Sequence, residues 1–146
     1  MGMNALDLMR NDHKKLKKLL AETLEANGRE ARAHLLEHVR SELVVHERME
    51  EEVFYPALKT HPRAKDIVLE GYEEHHVADV LLDELLDLPE DTDQWQAKVK
   101  VLKENIEHHI EEEEGEMFKA AKKVLDRDEL ENLGSRMAAV KEAARP

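Results

Sequence analysis

The chain has 146 residues, a net charge of −12, 38% charged residues, 3% aromatics and no cysteine. The acidic balance argues against a nucleic-acid backbone or an anionic membrane as partner. The missing cysteine excludes disulfides, thiolate metal sites and a thiol nucleophile. The scarcity of aromatics, Gly and Pro leaves a core of Leu, Val, Ile, Ala and Met, which favours an all-α fold in one domain spanning residues 1–146. "MGMNALDLMR" has no long apolar run, so neither a signal peptide nor an anchor is expected, and a soluble cytoplasmic protein is the default.

Asn4 is placed to cap a first helix that runs to the Asn27-Gly28 stop. A second starts near Arg29 and runs to about Tyr55, where Pro56 should end or kink it. Pro62 falls in the first turn of a third helix, which fades at "DLPEDTD". Thr92 or Asp93 caps a fourth, extending to about Leu125. A shorter fifth helix runs from Asp126, with Glu129 as capping partner, to about Ala144. Its stripe of Leu130, Leu133, Met137 and Val140 suits either the bundle or another subunit. Short connections between long helices predict an antiparallel up-down-up-down four-helix bundle with an additional short C-terminal helix.

Core-facing positions in such a bundle alternate in steps of three and four. The register reads Leu6, Met9, His13, Leu16, Leu20 in the first helix and Leu36, Val39, Leu43, His46, Glu50, Val53, Ala57 in the second. The third gives Val68, His75, Ala78, Leu82, Leu85, and the fourth Val99, Leu102, Ile106, His109, Glu113. Each helix therefore turns one histidine inward, and two add a glutamate one turn later. The same phase puts His108, His76, Glu51, Glu52, Glu111, Glu112 and Glu114 on solvated faces. Met9, Met49 and Met117 read as filler. His34, His38 and His61 fall outside the inner set, with His38 a candidate to support a ligand from behind.

An internal repeat reinforces the pattern. "DHKKLKKLL" matches "EHHVADVLL", aligning His13 with His75, and "HERMEEEVFY" aligns His46 with His109, Glu50 with Glu113 and Tyr55 with Phe118. The bundle is thus expected to be two helix pairs related by a pseudo-twofold, each giving one His and one H-x-x-x-E. Residues four apart lie one above the other on a helix, so an imidazole can bind one cation while the carboxylate bridges to a second. Unpaired carboxylates in a dry core are costly, whereas four imidazoles and two carboxylates around cations are not. That donor set suits iron, and also manganese or zinc, and leaves coordination positions open.

"NDHKKL", "HERMEEEVFYP", "EEHHVADVLLDEL" and "HHIEEEEGEMF" together resemble the hemerythrin-like, or HHE cation-binding, family over residues 4 to 140. The resemblance implies an antiparallel four-helix bundle around two iron ions with a bridging oxo or hydroxo group. It implies His13, His46, Glu50, His75, His109 and Glu113 as iron ligands, with both glutamates bridging. Oxygen carriers of the family place a histidine four residues after the third-helix ligand, where this chain has Asp79. The four-His, two-Glu pattern is instead similar to relatives linked to iron or oxygen sensing and to nitric oxide or peroxide handling. The expected function is therefore to bind or reduce dioxygen, peroxide or nitric oxide. The alternatives are an iron or oxygen sensor or store signalling to a partner, a reversible oxygen binder, or a zinc-bound or metal-free interaction module. Tyr72, one turn before His75, is the candidate hydroxyl for contacting a bound ligand, with simple packing as the alternative. Gly71 beside it suits a close helix approach or a small-molecule path.

Overall fold

In the computed structural model, which describes residues 3–144, the Asn4 side chain accepts a hydrogen bond from the Asp7 amide at 2.9 Å and starts α1 (Ala5–Glu25). The expected domain's Met1, Gly2, Arg145 and Pro146 lie outside the described residues. Gly28, at φ 91°, takes the left-handed conformation that lets the chain reverse into α2 (Arg29–Met49). This rod does not stop at Pro56. It passes through a π turn (Glu50–Phe54) into α3 (Tyr55–Lys59), in which Pro56 occupies the first turn and faces solvent. A proline in a first turn sacrifices little hydrogen bonding, and the helix continues past it to Lys59.

Pro62 belongs to the connecting turn rather than to the next helix. There the His61 carbonyl accepts from the amides of Ala64 and Lys65, and α4 (Lys65–Leu86) begins three residues after the proline. Thr92 caps α5 (Asp93–Glu112), its hydroxyl accepting from the Trp95 amide at 3.2 Å. This rod too passes through a π turn (Glu113–Met117) into α6 (Phe118–Val124). Asp126 and Glu129 then bond each other's amides, at 2.8 and 3.0 Å, to open α7 (Arg127–Ala144).

The architecture is all-α: four antiparallel rods, α1, α2–α3, α4 and α5–α6, with α7 running alongside the N-terminal half of α1. α7 packs on α1, α2 and the first π turn, so its stripe is covered by the bundle itself. Leu130, Leu133 and Met137 are buried there, and Gly134 lets α7 approach closely, since a Cβ would stand 2.8 Å from the Asn4 carbonyl carbon. No described helix is long and apolar enough to cross a membrane.

The core comes in two apolar blocks. One holds Met9, Phe54, Leu58, Val68, Phe118 and Met137 at the α7 end, and the other holds Leu20, Val39, Leu82, Trp95, Val99 and Leu102 at the far end. Between the blocks lies a layer of buried polar side chains.

Candidate metal centre

Both π turns begin at the inward glutamates of the repeat, Glu50 and Glu113. In each, an amide bonds five residues back: Tyr55 N–H to the Glu50 carbonyl and Phe118 N–H to the Glu113 carbonyl. The extra residue in the turn advances the helical phase by one. Strict three-and-four stepping put Ala57 in the core, but Leu58 is buried there and Ala57 only half-buried. The same advance brings Tyr55 and Phe118 inward, over the polar layer.

The six inward-phased side chains converge. His13 Nε2 lies 2.9 Å from Glu113 Oε1, and His109 Nε2 lies 3.3 Å from Glu113 Oε2, so the two oxygens of Glu113 face opposite halves of the cluster. Glu50 Oε1 lies 2.9 Å from His75 Nε2 and 3.4 Å from His46 Nε2. All six are buried. Donor atoms of His13, His46, Glu50 and Glu113 lie within 4.8 Å of one another, and so do those of Glu50, His75 and His109. These are two overlapping groups, sharing Glu50, whose donor atoms are close enough to hold a cation each.

Each imidazole turns Nε2 inward and Nδ1 outward onto a carboxylate. His46 Nδ1 meets Asp12 at 3.0 Å, His13 meets Glu114 at 2.6 Å, His75 meets Glu51 at 2.7 Å and His109 meets Glu74 at 2.6 Å. A carboxylate on Nδ1 fixes the tautomer with the proton outside and the Nε2 lone pair inside, the form a cation requires. Helix phase assigned Glu51 and Glu114 to solvent, and they do lie at the edge of the bundle, from where they reach across to a neighbouring rod. The repeat carried the signal: Asp12 aligns with Glu74, and Glu51 with Glu114. His38, by contrast, is exposed, 3.9 Å from Glu42, and supports none of the inner histidines.

Tyr72 is not the site hydroxyl. It is half-buried, and its ring packs edge-on against Tyr55 at 5.0 Å. The Tyr55 hydroxyl donates to Glu113 Oε2 at 2.9 Å and lies 3.3 Å from His75 Nε2. Gly71 makes the space for it, with a would-be Cβ only 2.7 Å from the phenol oxygen. Its repeat counterpart Phe118 stacks on His13 at 6.4 Å and brings no hydroxyl, so the two halves of the centre differ.

Electrostatics follow from burial and neighbours. Burial alone would depress the His46 imidazole, but the Glu50 charge and the Asp12 bond outweigh it and hold it at about 10. Against the same burial, bonds to Glu50 and Glu51 raise His75 to about 9, and the Glu113 charge raises His109. Burial tends to raise Glu50, yet the His46 charge and surrounding bonds take it well below the usual carboxylate range. Without a cation the cluster would thus hold protons in its place. The geometry nonetheless fits cations better: His46 Nε2, His109 Nε2 and Glu50 Oε2 are buried and make no hydrogen bond.

A cavity of about 10 Å³ adjoins the histidines on the side away from Tyr55, walled mainly by Leu16, Leu43, Ala78, Ile106 and Ile110. It is large enough for roughly one water-sized molecule. Glu47 also lines it, and burial together with a hydrogen bond to Asp79 pushes that carboxyl up to about 9.

Residues 4–121 match the model of the hemerythrin HHE cation binding domain. The uncharacterized protein Rv2633c of Mycobacterium tuberculosis is 34% identical over 139 residues, covering 94% of this chain and 84% of the relative. A DNA nickase of Nostoc sp. is 25% identical over 139 residues, 95% of this chain but 39% of its own length. The crystal structure of a hemerythrin HHE cation binding domain-containing protein, the Rv2633c homolog from Mycobacterium kansasii, superposes with a TM-score of 0.86 at 31% identity, covering 97% of this chain and 87% of that one. With the polar layer, the repeat and these matches in agreement, the chain belongs to the hemerythrin HHE cation-binding domain family.

Proposed function

We propose that this is a non-haem di-iron protein that binds or reduces a small oxidant or gas, namely dioxygen, peroxide or nitric oxide. The observation that carries the reading is the pair of overlapping donor sets joined by Glu50 and spanned by Glu113, with an apolar cavity against one side. Imidazole with carboxylate is a donor set that iron accepts, and iron supplies the one-electron steps and Lewis acidity that small oxidants need.

The chain's own groups have separable tasks. Glu50 and Glu113 hold the two positions together. The four outer carboxylates face each Nδ1 and so would turn the Nε2 atoms toward the cations. The cavity beside the histidines, with its mainly aliphatic outer wall, would take a molecule of about water size. The Tyr55 hydroxyl donates to Glu113 and so places one proton on the His75 side only.

Metal content per chain and the near-ultraviolet and visible spectrum test this reading, on wild type and on the His109→Ala/Glu113→Ala double variant. Close to two irons per chain, with oxo-bridge absorption lost in the variant and altered by peroxide or nitric oxide, is the expected result. No iron after growth in iron-rich medium, or a single metal unaffected by the double substitution, would overturn it.

A further inference from the structure

α7 lies beyond residues 4–121, the part matched by the family model, yet it reaches the ring of carboxylates around the centre. Lys141, in its last turn, pairs with Asp12 Oδ1 while Asp12 Oδ2 bonds His46 Nδ1 at 3.0 Å. Both partners are largely enclosed, with side chains 16% and 6% exposed. Among the described residues, none of the other three carboxylates on an Nδ1 atom, Glu51, Glu74 or Glu114, pairs with a lysine or arginine. Asp12 and Glu74 are repeat equivalents, so the lysine marks one half of a pseudo-symmetric site.

The delivery of that lysine is well determined. The Asp126–Glu129 box fixes the start of α7, Leu130, Leu133 and Met137 seat it, and Gly134 sets its closeness to α1. We propose that Lys141 is a positioning residue that holds Asp12, and through it His46, so that docking of α7 and cation occupancy at the His13–His46 position are coupled. The inference rests on the reading that the centre holds two cations, but not on their being iron.

Coupling of this kind is reciprocal: what α7 contributes to cation affinity, the cation returns to α7 docking. Losing a partner that orients a ligand typically costs 10–100-fold in metal affinity. Lys141→Met keeps the apolar stem that packs along the bundle and removes only the charge, and Lys141→Arg keeps the charge.

The test is a stepwise cobalt(II) titration of the full metal-free chain against a competing chelator, followed by absorbance, with amide hydrogen exchange of α7 before and after loading. In wild type two binding steps are expected, with α7 exchange slowed by loading. In Lys141→Met one step weakens roughly tenfold, the other is unmoved, and loading no longer slows α7. Lys141→Arg should restore most of both effects. Two unchanged steps in Lys141→Met, or two steps weakened alike, would overturn this inference while leaving the two-cation reading intact. Absence of two steps in wild type would overturn both.

Discussion

Tyr55 and Gly71 fit only as a pair: a Cβ on residue 71 would stand 2.7 Å from the Tyr55 hydroxyl oxygen and 2.9 Å from its Cζ. At the equivalent place in the other half of the repeat stand Phe118 and the buried Met9. Gly71→Ala should therefore displace the phenol and lower stability by about 1–3 kcal/mol, despite the better helix propensity of alanine. In a Tyr55→Ala background the same substitution should become neutral or stabilising. Urea unfolding of the four proteins of that cycle checks it, and a Gly71→Ala penalty that persists without Tyr55 would refute the pairing.

Glu51 and Glu52 are adjacent glutamates with different surroundings. Glu51 bonds His75 Nδ1 at 2.7 Å, whereas Glu52 pairs with Arg48 at the surface. Glu51→Ala is expected to weaken cation binding about 10–100-fold, and Glu52→Ala to leave it unchanged. Chelator competition distinguishes them, and equal behaviour would remove Glu51 from its supporting role.

Removing the cations should give a protein most stable in mildly acid solution. His46 and His75, raised to about 10 and about 9, contribute stability that is fully present below their unfolded value near 6.5 and is lost as pH rises through 9 to 10. Glu50, lowered from 4.5, contributes stability present above that value and lost as pH falls below it. Chelator-treated protein should accordingly show its highest melting temperature between these limits, at roughly pH 5–6. Cations displace the protons, so the loaded protein should move its optimum upward. A melting temperature that rises from pH 6 to 9 without metal would contradict the assignment.

Glu47 carries the opposite linkage. Its folded value of about 9 against an unfolded 4.5 means that ionisation favours the unfolded chain increasingly across that interval. Glu47→Gln removes the effect, so its stability advantage over wild type should grow with pH, by at most ~1.4 kcal/mol per unit. Urea midpoints at pH 5 and pH 8, both without metal, report it. A constant difference between the two would mean that Glu47 is ionised in the fold.

The caps and most of the apolar stripes of the four rods were legible in the sequence because each depends on a few neighbouring residues, whereas the stop expected at Pro56 and the start expected at Pro62 were not. Asn4, Thr92 and the Asp126–Glu129 box all act where local pattern placed them. The π turns were not, since an extra residue inside an unbroken helical pattern leaves no local mark. That one residue exchanged Leu58 for Ala57 in the core and made Tyr55, rather than Tyr72, the hydroxyl at the centre. The convergence of His13, His46, Glu50, His75, His109 and Glu113 followed from phase, because α1 and α4 carry no π turn and the register of α2 and α5 holds up to the first residue of theirs. Outer carboxylates escaped phase because Glu51 and Glu114 lie at helix edges and act on other rods. Only the repeat, which pairs them, pointed to them.

Those four carboxylates make a closed circuit. Asp12 ties α1 to α2, Glu51 ties the first π turn to α4, Glu74 ties α4 to α5, and Glu114 ties the second π turn back to α1. A belt of this kind at mid-height resists splaying of the rods where the apolar blocks on either side do not meet. It also turns local damage into a shared fault, because a rod that rotates about its axis drags the imidazole of its neighbour with it. The polar layer is therefore a strap as well as a cluster: each of its four ties joins a different pair of neighbouring rods, so no rod is held by a single one.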